Sequence, residues 1–346
     1  MSMIDPHVHL RDWNQKQKET LAHGLKCAKK AGFSHVFDMP NTSPAIISRD
    51  LIIQRLADAS EALKDIDGIH YHIYGGLTAD PSQIREMVGV SKELFPLVIG
   101  LKMFAGQSTG NMGIVDVDSQ RLVFKTLVEE DYTGVLVVHA EKESELKPEL
   151  YVPGQWETHS LARPESSEVE SIRDILNIAS DVGFKGTVHI AHISTKASVE
   201  LVKSYKDRLK VTMGVTPHHS LLHSEYAKGY PNLYLKMNPP LRTKEDRSYI
   251  FQSLLDGTID WVESDHAPHT VEDKQNGASG IPGFTGMLVL AKVLREAGIS
   301  EDRLKDLYGR NVLKAFAMDD EEIEVPNDLV SRMASFKTSY KLDPFV

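Results

Sequence analysis

Residues 4–12 read Ile4-Asp5-Pro6-His7-Val8-His9-Leu10-Arg11-Asp12, an apolar run into which two histidines are set two positions apart. Successive side chains of a β-strand point to opposite faces of the sheet. We therefore expect Asp5, His7, His9 and Arg11 to share one face. The run predicts a buried strand that brings two imidazoles and a guanidinium together at its end.

Seven further short apolar runs follow the first and alternate with amphipathic segments of helical length. This alternation is typical of repeated βα units around a parallel sheet. The predicted strands are 4–10, 35–39, 69–74, 97–104, 134–139, 187–193, 211–215 and 259–263. The predicted helices lie near 15–31, 46–64, 81–94, 116–131, 165–183, 195–207, 243–256 and 283–298. Eight such units predict an α/β fold, a TIM (β/α)8 barrel formed by one domain, residues 1–346, with a C-terminal tail from about residue 319.

The composition excludes several classes of protein. The chain has 346 residues, 41% of them hydrophobic, and a net charge of −10, which argues against a broad surface for nucleic acid or anionic membrane. Cys27 is the single cysteine, so no internal disulfide can form and we expect a reducing, cytoplasmic location. No run approaches the roughly 18 apolar residues of a membrane helix.

Metal-ligand types recur where later predicted strands end. Catalytic groups of a TIM barrel lie at the carboxyl ends of its strands, and four of those ends carry Lys102, His139, His192 and Asp265. Neutral imidazoles and carboxylates suit Zn²⁺ and related ions. A lysine ammonium has donors only, so Lys102 either forms a salt bridge or requires chemical conversion. A second His-x-His pair in residues 70–72 starts its strand, so we interpret it as structural.

This ligand set on successive strands resembles the amidohydrolase superfamily. There, the matching lysine reacts with CO₂ to form a carbamate whose two oxygens bridge two metals. The resemblance implies two Zn²⁺ ions per subunit, bridged by carboxylated Lys102 and a hydroxide. It places His7, His9 and Asp265 on the more buried ion and His139 and His192 on the outer one.

Several short runs are similar in order and spacing to those of the dihydroorotase family, and the resemblance covers nearly the whole chain. These runs are His7-Val8-His9-Leu10-Arg11-Asp12, Asp38-Met39-Pro40-Asn41-Thr42, Gly100-Leu101-Lys102, His139-Ala140-Glu141, Thr216-Pro217-His218-His219, Lys236-Met237-Asn238-Pro239-Pro240-Leu241-Arg242 and Asp265-His266-Ala267-Pro268-His269. The family implies a cytoplasmic, zinc-dependent enzyme of pyrimidine biosynthesis that reversibly hydrolyses the cyclic amide of (S)-dihydroorotate to N-carbamoyl-L-aspartate. The barrel starts almost at residue 1, so we expect no appreciable β-sandwich of the kind that longer members carry.

The resemblance also assigns roles around the substrate. Arg11 can bind the exocyclic carboxylate through paired, charge-assisted hydrogen bonds. Asn41 and His269 are expected to add donors, and Asn238 to recognise the polar edge of the ring. Asp265 is the catalytic residue, which carries the proton between water and the ring nitrogen. Taken singly, Arg11 would more commonly be interpreted as pairing with its neighbour, and Asn41 as a turn residue. Because both lie at strand ends beside the predicted ligands, we favour substrate binding.

Two alternatives stay open at this stage. Allantoinases and hydantoinases share the metal ligands, but we do not expect them to carry both Arg11 and Asn41. A catalytically silent barrel that partners aspartate transcarbamoylase is the other alternative, and the complete ligand set argues against it. A homodimer is one of the open oligomeric states. Residues 104–113 and 277–286 are two glycine-rich candidates for a loop that closes over the substrate.

Overall fold

The computed structural model describes residues 2–107, 112–229 and 235–346. Within them eight parallel strands form one sheet in chain order. The strands are β1 Met3–Val8, β2 Phe33–Asp38, β3 His70–Gly76, β4 Val98–Phe104, β5 Val135–His139, β6 Thr187–Ile190, β7 Val211–Val215 and β8 Trp261–Val262. A parallel bridge between Val8 and His266 joins the two edges. The predicted TIM barrel is thereby confirmed, and no β-sandwich is present among the described residues.

Helices surround the barrel. Those of eight residues or more are α1 Leu21–Ala31, α2 Arg49–Ala62, α3 Pro81–Glu93, α4 Val117–Glu129, α6 Glu165–Asp181, α7 Lys196–Lys203, α9 Lys244–Leu255 and α11 Phe284–Glu296. Shorter ones are α5 His159–Ala162, α8 Pro217–Leu221, α10 Val271–Gln275, α12 Glu301–Lys305, α13 Asn311–Ala315 and α14 Leu329–Ser335. The prediction did not include α5, α8 and α10, which lie in the loops that follow β5, β7 and β8.

Side-chain caps explain where several helices begin. The first predicted helix starts at Leu21, not near residue 15, because Thr20 adopts an extended backbone and its hydroxyl accepts a hydrogen bond from the N–H of His23. The same function is served by Ser48, Asp80, Asp116, Thr195 and Thr243 at the starts of α2, α3, α4, α7 and α9. The residues of the first βα loop are thus left free to surround the carboxyl end of β1.

The barrel is filled at its amino-terminal end by large apolar side chains. Ile4, Phe37, Tyr74 and Trp261 are fully buried and pack together there with Phe316. Because aromatic side chains occupy this end, the space for a ligand lies at the carboxyl ends of the strands, in agreement with TIM barrels in general.

The side-chain alternation expected along β1 is wrong at one position. Ile4, not Asp5, packs inside the barrel, and the pairing of β1 with β2 shifts register between Asp5 and Val8. Asp5 instead accepts a hydrogen bond of 3.1 Å from the backbone N–H of Ser264. The irregular segment allows Ile4 and His7 to face the interior together.

The segment from residue 319 onward packs against the barrel. Ile323 and Phe336 are fully buried, and the Glu321 carboxylate lies 3.2 Å from His35 Nε2 at the amino-terminal end. His72, from the second His-x-His pair, lies at this same end: its Nε2 is 2.9 Å from His35 Nδ1.

Every helix in the described ranges is too short or too polar to cross a bilayer.

Candidate active site

A cavity of about 430 Å³ opens at the carboxyl ends of the strands. Nine of the ten predicted site residues line it, namely His7, His9, Arg11, Asn41, Lys102, His139, His192, Asn238 and Asp265. Phe104, Ala267, Ser279 and Gly280 complete the lining. The fold therefore brings together predicted site residues that are up to 258 positions apart in sequence, as between His7 and Asp265.

His7, His9 and Asp265 form a compact group whose ligand atoms all lie within 4.8 Å of one another. The Asp265 Oδ1 atom is 2.9 Å from His9 Nε2 and 3.4 Å from His7 Nε2. His9 Nδ1 lies 2.6 Å from Asn41 Oδ1, which can only accept, so that nitrogen carries the proton. Nε2 is therefore the nitrogen of His9 that faces Asp265 and the cavity, where it is placed to bind a cation.

His139 and His192 form a second group, which lines the same cavity next to the first. His139 Nδ1 lies 3.1 Å from His192 Nε2, and the two ring centroids are 4.8 Å apart. The His7 and His192 centroids are 5.1 Å apart, so the two groups are in contact. Burial, reinforced by the neighbouring His139, holds the pKa of His192 well below its usual range. Neutral imidazoles are the form that binds metal.

Lys102 lies between these groups at the end of β4. Its side chain is fully buried, and its Nζ atom has no hydrogen-bond partner among the described residues. The Nζ atom lies 4.9 Å from the centroid of the Phe104 ring. Burial lowers the pKa of Lys102 to about 8, so the neutral amine is accessible near physiological pH.

Electrostatics keep this centre in a form that can bind a cation. Burial, reinforced by the charge of Lys102, lowers the pKa of His7 to about 4, so His7 is neutral at pH 7. Burial alone would raise the pKa of Asp265, but its hydrogen bond with His9 and the neighbouring histidines hold that pKa below its ordinary value. The centre therefore presents the neutral imidazole of His7 beside an ionised carboxylate.

The backbone turns sharply at two of the predicted ligands. His192 has φ of 40° and Asp265 has φ of 47°, in the left-handed region that non-glycine residues seldom adopt. β6 ends at Ile190, two residues before His192 and three before the predicted end, and β8 ends at Val262, one residue before its predicted end. Such backbone conformations cluster at functional sites, where the surrounding structure enforces them.

Arg11 lies at the wall of the cavity and is 3% exposed. Its Nε atom donates a hydrogen bond of 3.3 Å to the carbonyl of Pro268, and no carboxylate of the described residues lies within 4.0 Å of its guanidinium. His269 is not among the residues that line the cavity. Its Nε2 atom lies 3.2 Å from Arg11 Nη2 and 2.9 Å from the carbonyl of Ser279, which places it behind Arg11.

Asn238 reaches the cavity from the segment that precedes α9. Its Oδ1 atom accepts a hydrogen bond of 2.8 Å from His159 Nε2 in α5, which leaves the amide N–H groups for other partners.

The two glycine-rich loops predicted to close over the substrate, residues 104–113 and 277–286, differ in their relation to the cavity. Residues 108–111 of the first lie outside the described residues, whereas Ser279 and Gly280 of the second line the cavity.

The chain is similar along its whole length to proteins named dihydroorotase. It is 35% identical over 365 residues to the dihydroorotase of Brevibacillus brevis, which covers 99% of this chain and 79% of that protein. It is 30% identical over 346 residues to the dihydroorotase of Thermococcus kodakarensis, with 99% and 74% coverage. The chain belongs to the dihydroorotase family. No protein-family model matches the sequence.

Solved structures with this barrel include other cyclic-amide hydrolases besides a dihydroorotase. L-hydantoinase (dihydropyrimidinase) from Arthrobacter aurescens superposes with a TM-score of 0.81 at 23% identity, covering 94% of this chain and 74% of that one. The dihydroorotase from Campylobacter jejuni superposes with a TM-score of 0.72 at 20% identity, covering 93% and 85%. At these identities the likeness establishes the barrel fold.

Two buried carboxylates of this dihydroorotase-family barrel were not predicted as site residues. Glu263 lies 3.1 Å from His189 Nε2 and accepts a hydrogen bond from the backbone N–H of His192. Glu141 lies 3.0 Å from His139 Nε2. Glu263 lies two residues before the predicted ligand Asp265, and Glu141 lies two residues after His139. This spacing of two is the sequence signal from which both carboxylates could have been predicted.

Proposed function

We propose that this protein is a dihydroorotase, which interconverts (S)-dihydroorotate and N-carbamoyl-L-aspartate. The observation that carries the proposal is the meeting, in one cavity, of the metal-ligand set with a buried guanidinium that has no ion-pair partner among the described residues. Dihydroorotate matches both the metal-ligand set and the guanidinium, because it has a cyclic amide to hydrolyse and a carboxylate for Arg11 to bind. The family membership supports the same reaction.

The donor atoms of the cavity fit a pair of divalent ions, with Zn²⁺ as the proposed species. His7, His9 and Asp265 would hold one ion, which we call the inner ion, and His139 and His192 the other, the outer ion. Lys102, once carboxylated, would hold both. The fit is supported by the convergence of these atoms and by the buried Nζ of Lys102, which lacks a hydrogen-bond partner in the described chain. Such ions supply Lewis-acid polarisation of the amide carbonyl and a water of lowered pKa.

Conversion of Lys102 to a carbamate requires the neutral amine. Burial favours that form because it lowers the lysine pKa to about 8. The reaction adds CO₂ to the amine and releases one proton, so the neutral amine becomes an anionic ligand. This exchange would remove the cost of leaving an ammonium buried without a partner.

In this proposal the side chains of the cavity have different roles toward the substrate. Arg11 binds the exocyclic carboxylate and orients the ring, and Asn41 and Asn238 contribute amide groups at the wall of the cavity. Asp265 accepts the proton of the attacking water and passes it to the departing ring nitrogen. In ring closure the same carboxyl group starts protonated, so lower pH favours cyclisation and higher pH hydrolysis. His269 remains a prediction as a substrate contact, and its position suggests that it supports Arg11.

Turnover of dihydroorotate, allantoin and hydantoin, measured side by side with a metal count, tests the proposal. We expect two zinc ions per chain and the highest kcat/KM for dihydroorotate. Faster hydrolysis of allantoin or hydantoin would overturn the choice of substrate, and a metal-free, inactive protein would overturn the enzymatic function.

The carbamate is tested separately with Lys102→Ala. We expect this variant to lose the bridging ligand, to retain fewer than two zinc ions and to lose its activity. Two tightly held ions and full activity in Lys102→Ala would show that the carbamate assignment is wrong.

A further inference from the structure

Glu141 is a fully buried carboxylate directly beside the outer half of the proposed metal centre. Arg163 donates two hydrogen bonds to it, from Nε to Oε1 at 2.9 Å and from Nη2 to Oε2 at 2.6 Å. Its Oε2 atom also lies 3.0 Å from His139 Nε2. Two hydrogen bonds from one guanidinium to the two oxygens of one carboxyl group are the paired geometry of an ionised carboxylate. Neither residue of this pair has a part in the proposed reaction.

The contact determines which nitrogen of His139 faces the cavity. A carboxylate only accepts hydrogen bonds, so His139 Nε2 must carry the proton that it donates to Glu141. Nδ1 is then the nitrogen of His139 that faces the cavity, and it lies 3.1 Å from His192 Nε2. Reversal of the ring would break the hydrogen bond and leave a buried carboxylate oxygen with one partner fewer.

A second contact links this pair to the loop that carries His192. The carbonyl of Arg163 accepts a hydrogen bond from Arg242 Nη1. Arg242 Nε in turn donates a hydrogen bond of 2.9 Å to the hydroxyl of Ser194, two residues beyond His192. These contacts therefore connect His139, through Glu141 and Arg163, with the loop that carries His192.

We infer that Glu141 and Arg163 are positioning residues that fix His139 with Nδ1 toward His192 and thereby set the affinity of the outer half for its ion. The inference rests on the proposed two-ion centre. Partners that orient a metal-binding histidine typically contribute about 10- to 100-fold to metal affinity. The effect is confined to one ion, because the group formed by His7, His9 and Asp265 does not include His139.

Zinc retention tests this role without reference to activity. Zinc-loaded wild type and Glu141→Ala are exposed to increasing concentrations of a chelator, and the zinc that remains per chain is counted. We expect wild type to release its two ions at two chelator concentrations. Glu141→Ala should release one ion at roughly 10- to 100-fold lower chelator and the other as wild type does. Glu141→Gln keeps the shape and an acceptor oxygen but loses the charge, so its shift should lie at the lower end of that range, at about tenfold.

Glu321→Gln is the matched control, since Glu321 also contacts a histidine, at 3.2 Å from His35 Nε2, but at the opposite end of the barrel. Its zinc release should match wild type. If Glu141→Ala does not fold, as judged by circular dichroism, Glu141→Gln provides the test. Release curves of the folded Glu141 variants that coincide with wild type would overturn the inference. A wild type that holds fewer than two zinc ions would instead overturn the proposed two-ion centre.

Discussion

Arg11 is a buried cation that the folded chain does not neutralise by an ion pair within the described residues. It is 3% exposed, and burial lowers its pKa from the ordinary value. Its polar contacts are the carbonyl of Pro268 at 3.3 Å and the ring of His269 at 3.2 Å, both without formal negative charge. A buried charge costs several kcal/mol, and the more distant carboxylates, of which Glu19 has the largest effect on the pKa of Arg11, offset only part of that cost. A substrate carboxylate in the cavity would offset that cost, which predicts opposite effects of Arg11 on stability and on activity.

Replacement of Arg11 by Met removes the guanidinium and keeps an apolar stem of similar length. Truncation of one partner of a hydrogen-bonded charge pair costs about 2–5 kcal/mol. Since about 1.4 kcal/mol corresponds to a factor of ten, kcat/KM for dihydroorotate should fall roughly 30- to 3,000-fold. The free energy of unfolding should remain within about 1 kcal/mol of wild type or rise, because the variant loses no ion pair.

Arg55 provides a matched control because it is also a fully buried arginine, but one with an ion-pair partner. Its Nη2 atom lies 2.7 Å from Asp38 Oδ2, and Tyr71 completes the cluster. Arg55→Met leaves Asp38 buried without its cation and should cost about 3–5 kcal/mol of stability. Urea unfolding followed by tryptophan fluorescence measures both variants, and steady-state kinetics compare dihydroorotate with dihydrouracil, which lacks the carboxylate.

The outcome separates a substrate-binding Arg11 from a structural one. A structural arginine would behave like Arg55: Arg11→Met would unfold at lower urea, and its loss of activity would be equal for substrates with and without the carboxylate. Wild-type kcat/KM for dihydroorotate together with a stability loss above about 2 kcal/mol would refute the substrate-binding role of Arg11.

Three further variants test the support and the chemistry of the site. Burial opposes the ionisation of Glu19, yet His266 and its other partners lower the pKa of Glu19 from 4.5 to about 2. The ionised carboxylate therefore stabilises the fold above pH 4.5, and this stabilisation is lost as the pH falls toward 2. Glu19→Gln should lower the free energy of unfolding by about 3 kcal/mol at pH 7, and urea unfolding should show the gap between variant and wild type shrinking below pH 4.5. In Gly214→Ala the new Cβ would lie 2.6 Å from the carboxylate of Glu263, so unfolding should become easier by about 1–3 kcal/mol, and an unchanged urea midpoint would contradict this. Asp265→Asn should reduce the initial rates of both ring opening and ring closure by roughly 10²- to 10⁴-fold, and a loss below tenfold would exclude the aspartate as proton carrier.

The sequence was sufficient to predict the barrel and the composition of the cavity because both depend on local patterns. Eight apolar runs correspond to the eight strands, and ligand types at the ends of strands converge in any closed parallel barrel. The positions of Lys102 and His139 follow from this rule alone. The end of β6 was placed three residues too late, because the left-handed backbone of His192 depends on contacts with Glu263 that no local pattern encodes.

Orientation within the cavity could not be predicted for the same reason. The nitrogen that His9 presents is determined by Asn41, 32 positions away, and the closeness of His139 to His192 spans 53 positions. Such contacts depend on which loop packs over which strand end. Glu141 is an intermediate case, since its distance of two residues from His139 was visible, but its bond to Arg163 in another loop was not.

The two His-x-His pairs show how the same local sequence acquires different roles at the two ends of one barrel. His72, at the amino-terminal end, has both ring nitrogens engaged, Nε2 with His35 at 2.9 Å and Nδ1 with the carbonyl of Pro96 at 2.7 Å. His7, at the carboxyl end, has Nδ1 3.6 Å from Glu263 Oε1 and Nε2 3.4 Å from Asp265 Oδ1, and the buried Nζ of Lys102 has no hydrogen-bond partner in the described residues. Buried polar groups are normally paired, so an unpaired one that lines a cavity is a candidate contact for a ligand. The unpaired Nζ of Lys102 and the carboxylate beside His7, more than the motif itself, therefore support the proposal that this end of the barrel binds metal and substrate.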